Sequence, residues 1–239
     1  MFSIVMFVLA AADTALLAWT LRAWRRSREP VLGLLAFLVL ALPYDTALVG
    51  AGSAIGISPG LALASGPRFM LFHLSVPLIM IVAAALARLA GFRFAQPRWF
   101  VGGVCVAATA FAVADWQHIV VWPTLYPACW ADTVRYVPSV LASQACTPGQ
   151  PGIGLPGAFP LAAAVALPAL LVLGVAIGVR AGWWWLLAGM LAGLVLLGLP
   201  PSRVGPIPGF VGDAINLLAM VATAVRFGRP QSAPARNIR

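Results

Sequence analysis

The chain alternates long apolar stretches with short polar connections, and the apolar stretches near 2–21, 31–55, 68–90, 99–121, 159–179, 183–199 and 210–225 set its architecture. A hydrocarbon core of about 30 Å is crossed by about 20 helical residues, so 239 residues suffice for about seven spans with short loops. The pattern predicts an all-α fold: a polytopic transmembrane helix bundle of about seven helices forming one domain over 1–228. A polar tail, 229–239, follows and is expected to be disordered. Pro30 suits a first helical turn, and Pro77 is expected to kink the third span. Arg180, Ala181 and Gly182 leave room only for a tight helical hairpin between the fifth and sixth spans. The one long connection runs from Trp122 to about Gly157 and is rich in Pro, Gly and aromatic residues.

Composition agrees with the pattern. Hydrophobic residues make up 62% of the chain, charged residues 9%, and the mean hydropathy is +0.97; a soluble domain carries about a quarter charged residues. No soluble domain is expected.

Charge supplies the orientation. The net charge is +9, and all 15 basic residues are arginine. Without lysine there is no amine for a retinal Schiff base, which removes a working rhodopsin from consideration. P-loop, GxGxxG, paired CxxC and HExxH patterns are missing as well, and no cofactor is implied. Twelve arginines fall on one side of the alternation, in the first, third and fifth connections and toward the C-terminus; Arg68, Arg135 and Arg203 fall on the other. By the positive-inside rule the N-terminus lies outside and the C-terminus is cytoplasmic. Arginines at the ends of apolar segments read as membrane anchors, so no nucleic-acid partner is expected. Trp24, Trp99, Trp122 and Trp183 to Trp185 sit at span ends as interfacial anchors do. The first span is not read as a signal peptide, because its basic cluster (Arg22, Arg25, Arg26, Arg28) follows the apolar stretch. The expected location is the cell membrane, as a multi-pass protein of a bacterial inner membrane.

The remaining polar residues are the candidate chemistry. At about 1.5 Å per residue, Asp45 lies roughly 21 Å across the core from the inner face. His73 lies near the outer end of the third span, Asp115, Gln117 and His118 near that of the fourth, and Asp213 and Asn216 open the seventh. A carboxylate at the bilayer centre costs about 2.5–3.5 kcal/mol even on the lenient insertion scale, so something must compensate. One solution is mutual pairing: Asp45 with Arg68 or His73, Asp115 capped by a neighbour, and Asp213 at a helix N-terminus, Arg68 being the counter-ion of Asp45 or of an acidic ligand. The other is a pocket in the outer half of the bilayer holding an apolar isoprenoid or lipid. Asp13 and Thr14 read as glue between helices. Metal is not expected: the two histidines are on different spans, and no His-x-x-x-His spacing places two ligands on one helix face. Cys129 and Cys146, both in the long outer loop, are either a disulfide stapling a lid or two free thiols. Cys105 reads as a small core residue.

Seven short-looped spans with one acid in the second helix (Asp45) and another opening the seventh (Asp213) resemble the small integral-membrane terpene cyclases of meroterpenoid and indole-terpenoid pathways. Pro43-Tyr44-Asp45, followed by Leu48-Val49 and Gly52, also resembles the Pro-Trp-Asp element of membrane lycopene cyclase domains. That second pattern continues to paired glutamates where this chain has Arg68 and His73. The resemblance implies an acid-catalysed cyclase with Asp45 as proton donor and Asp213 as its partner. Such chemistry asks for aromatic faces near the cation, and Tyr44, Phe69, Phe72, Phe111 and Trp116 lie near the right depth. The expected substrate-binding set is therefore Tyr44, Arg68, Phe69, Phe72, His73, Asp115, Trp116 and Asn216. The alternative is a non-catalytic membrane subunit or a lipid- or pigment-binding scaffold of a larger complex. Expected partners are membrane lipids, the apolar ligand, and a second membrane protein or another copy of the chain.

Overall fold

The structure is a computed structural model that describes residues 1–147, 152–153 and 160–228. Helices α1 (Phe2–Ser27), α2 (Pro30–Ile55) and α3 (Pro59–Leu89) run back and forth. Then come α4 (Arg98–Ala114), α5 (Trp116–Val120) and a two-stranded antiparallel hairpin, β1 (Tyr126–Trp130) and β2 (Thr133–Val137). Helices α6 (Leu161–Ala181), α7 (Trp185–Leu197), the short α8 (Pro201–Val204) and α9 (Ile207–Phe227) complete the chain. Helices α1, α2, α3, α6 and α9 are long and apolar enough to cross a membrane, and α4 and α7 are shorter apolar helices. The chain is a helical, multi-pass membrane protein.

Several elements differ from expectation. The third helix begins at Pro59, nine residues before Arg68, because Pro59 occupies the first turn and the Ser58 side chain caps it, accepting from Leu61 N at 3.2 Å. Residues 59–67, which the expected spans leave as a connection, are thus helix. The fourth apolar stretch is broken at Asp115, whose backbone (φ −97, ψ 12) ends α4 and starts α5. Helix α7 has 13 residues, about 20 Å of rise, against a core of about 30 Å. The long connection holds a β-hairpin, so the fold is not all-α as expected. The polar tail, the loop's stretches at 148–151 and 154–157 and the expected start of the fifth span at Phe159 lie outside the described residues. Pro77 sits inside α3, as Pro43 does in α2.

One apolar core joins α2 (Leu32, Leu35, Val39), α3 (Val82, Leu86), α6 (Leu170, Ile177), α7 (Leu186, Met190) and α9 (Met220, Val221). Because lipid is as apolar as leucine, such helices associate through close packing rather than hydrophobic burial. Small residues provide it at the α7–α9 contact. A Cβ on Gly193 would collide with the Asn216 side chain, and one on Gly189 with Ala219.

The two ends of the bundle are chemically distinct. Arg25, Arg26, Arg88, Arg180 and Arg226 lie in the last turns of α1, α3, α6 and α9, which share one end. The β-hairpin covers the other. Thr133 Oγ1 donates to the Val49 carbonyl at 2.7 Å. Gly52 faces the Val134 carbonyl, and Gly66 faces the Trp122 ring, each too closely to admit a Cβ. Cys129 and Cys146 form a disulfide that ties β1 to the chain beyond β2.

Candidate functional site

Asp45 stands fifteen residues into α2 and Arg68 nine residues into α3, and these two helices run antiparallel toward the hairpin end. That geometry brings Arg68 Nε into ionic contact with Asp45 Oδ1. The Arg68 side chain is 6% exposed and that of Asp45 33%. The contact is not aligned as a hydrogen bond: Asp45 Oδ1 and Arg68 Nε and Nη1 have no hydrogen-bond partner among the described residues. Arg68 also lies over the Phe69 ring, 5.4 Å from its centroid.

The pair opens onto a cavity of about 500 Å³ between α2, α3, α6, α7 and α9. Chain direction assigns its polarity. On α2 the wall runs from Leu38 up to Asp45, on α3 from Ile79 up to Arg68, and on α9 from Met220 up to Asn216 and Asp213. Seven residues of α2 and eleven of α3 correspond to rises of about 10 and 16 Å. The cavity is therefore apolar in its depth and carries its charge toward the hairpin. Asn216 is buried, and its Oδ1 also has no partner among the described residues. Asp213 makes no ion pair among the described residues, in contrast to Asp45.

Arg135 of β2 reaches the same region from above. Burial, with Arg68 acting in the same sense and Asp45 in the opposite one, lowers its guanidinium to about 10, so it remains cationic at neutral pH. Its Nη2 donates to Gln144 Oε1 at 3.0 Å, and Gln144 Nε2 donates to the Pro201 carbonyl at 3.1 Å. The hairpin thus adds a second cation near the Asp45–Arg68 pair and ties it to the connection between α7 and α9. Sequence reading placed Arg135 only among the outer arginines. Its proximity depends on the hairpin seating on Gly52, for which the sequence carries no local signal.

The expected binding set divides. Asp45, Arg68, Phe72, Asp213 and Asn216 share the cavity wall, together with Ser75, which was not anticipated. Tyr44 does not: its hydroxyl donates to the Ala64 carbonyl at 2.6 Å and the residue is exposed. Phe69 packs on Arg68 outside the wall, Trp116 is exposed, and Phe111 packs beside Val76 and Ala162. One aromatic ring, Phe72, therefore faces the cavity in place of five. Asp13 accepts from Thr46 Oγ1 at 3.0 Å and joins α1 to α2, whereas Thr14 bonds only within its own helix.

His73 and Asp115 form a separate cluster with His118. His73 Nδ1 contacts Asp115 Oδ2, His118 Nδ1 lies 2.8 Å from Asp115 Oδ1, and the two rings stack with centroids 4.7 Å apart. The break at Asp115 creates this meeting by turning His118 back toward α3. The three donor atoms lie within 4.8 Å of one another, although the two histidines share no helix face and come together only through the fold. Comparison of the chain with protein-family models, curated proteins and solved structures finds no match.

Proposed function

We propose that the chain spans the membrane seven times and holds an apolar isoprenoid or lipid in the cavity, its polar end against Asp45, Arg68 and Asn216. The observation that carries this reading is the cavity's polarity: an apolar depth, and at one end Arg68 Nη1 and Asn216 Oδ1, buried and without a hydrogen-bond partner among the described residues. Orphaned buried groups of that kind are costly unless something satisfies them, by about 1–3 kcal/mol each and more for charged groups. A ligand with a hydroxyl, carbonyl or phosphate end and a hydrocarbon body would do so, and about 500 Å³ falls within the range of small-molecule sites. The test is native mass spectrometry and lipid extraction of the purified full chain. A co-purifying apolar species that is lost in Arg68→Met and Asn216→Leu supports the reading. Wild type free of any such species, or retention unchanged in both variants, overturns it.

Acid-catalysed cyclisation is the second reading, favoured by one feature. Proton donation from Asp45 would have to break its contact with Arg68, but Asp213 has no such contact to break among the described residues. In this reading Asp213 is the acid and the Asp45–Arg68 pair the anchor, the reverse of the roles the cyclase resemblance implies. A single aromatic face gives a migrating cation little support, so binding is the primary reading. Extracts of cells expressing wild type or Asp213→Asn decide the matter: a product that disappears in the variant supports catalysis, and identical extracts count against it.

A further inference from the structure

Both histidines of the chain, the only two among 239 residues, meet on one carboxylate. They come from α3 and α5, 45 positions apart, and neither lines the cavity. We propose that His73, Asp115 and His118 form a binding site for a divalent transition-metal ion of the zinc class, with two imidazoles and one carboxylate as protein ligands.

The donor set suits such an ion. Neutral imidazole and carboxylate are first-row metal ligands, and three protein ligands leave a position for water or an exogenous anion, as open zinc sites do. The spacing suits it too. Bonds of about 2.0–2.1 Å in a tetrahedron hold donors about 3.3 Å apart; here all three donors already lie within 4.8 Å of one another, so side-chain rotation suffices. Both histidines present Nδ1 to Asp115, and each contacts a different oxygen. Ligation needs each Nδ1 and the carboxylate free of protons, so ion uptake is coupled to proton release and weakens as the pH falls.

Access is available. The side chains of His73 and Asp115 are 12% and 17% exposed, and that of His118 is 36% exposed. The cluster lies where α4 gives way to α5, next in sequence to the exposed Trp116, a residue of the kind that marks a membrane–water interface. An ion there would clamp α3 to the break after α4.

The test uses the full chain purified in detergent without a polyhistidine tag, treated with chelator and titrated with Zn2+ by calorimetry and with Co2+ by absorption spectroscopy. The expected result is one ion per chain and cobalt d–d bands of a low-coordinate site, with affinity falling more than about tenfold in His118→Gln, His73→Gln and Asp115→Asn. Asp132→Asn, which changes a half-exposed carboxylate outside both the cavity and the cluster, should bind as wild type does. X-ray absorption of the zinc-loaded wild type gives a readout that does not depend on the variants folding: two imidazoles in the first shell can come only from His73 and His118 within one chain. Absence of stoichiometric binding, a shell without imidazole, or binding unchanged in the three variants overturns the proposal.

Discussion

Gly52 of α2 lies so close to the Val134 carbonyl of β2 that no Cβ fits between them, and Thr133 Oγ1 would stand only 2.8 Å from that Cβ. The hairpin is therefore seated on the helix by backbone contact, one further turn beyond the Thr133–Val49 hydrogen bond. Gly52→Ala should lift the hairpin. Overpacking of this kind costs about 1–3 kcal/mol, and because the obstacle is backbone it cannot be relieved by a rotamer change. The expected outcome is faster amide exchange across 126–137 and a lower unfolding temperature in detergent, with the core helices little changed. Exchange identical to wild type would mean that the hairpin does not rest on α2.

The disulfide closes a loop with a sequence separation of 17, which in the chain-entropy model is worth about 3 kcal/mol. Alkylation of the denatured, unreduced protein should label Cys105 alone, and reduction should expose all three cysteines. Cys129→Ser with Cys146→Ser should loosen the hairpin and with it Arg135, whose hold on Gln144 depends on the chain two residues before Cys146. Labelling of three thiols without reductant would refute the bond.

Orientation is open to direct measurement. The arginine-bearing ends of α1, α3, α6 and α9 should face the cytoplasm and the hairpin the opposite side. In a bacterial host, a C-terminal alkaline phosphatase fusion should be inactive and a C-terminal fluorescent-protein fusion bright. The reverse result would invert the topology.

Much of this arrangement was legible in the sequence because membrane physics leaves few alternatives. Apolar length marks the five helices long enough to cross, and an acid among them requires a partner, which narrows the choice for Asp45 to Arg68 or His73. Asn216 and Asp213 share a wall because both lie near the start of one helix, three residues apart. His73 was not legible, since its neighbours depend on where α4 breaks, and the break coincides with the carboxylate it meets. The start of α3 was misread because glycine and proline punctuate soluble chains, whereas in a membrane helix they are tolerated where neighbouring groups satisfy the backbone. Arg135 reaches the site only through the seating of the hairpin, a long-range event with no periodicity to betray it.

The Asp45–Arg68 pair should respond unequally to loss of either member. Removing one partner of a buried pair leaves an uncompensated charge, at a cost of about 3–5 kcal/mol. Arg68 is nearly enclosed while Asp45 is a third exposed, and Asp45 also has Arg135 within electrostatic reach. Asp45→Asn should therefore cost about 3 kcal/mol, and Arg68→Met roughly half of that. The double variant should cost less than the two single changes added together, because the charge stranded by each is gone. Thermal unfolding in one detergent at fixed salt measures all four corners of the cycle. Strict additivity would mean that the ionic contact contributes nothing to the fold, and a costlier Arg68→Met would mean that Asp45, not Arg68, is the group the protein must keep compensated.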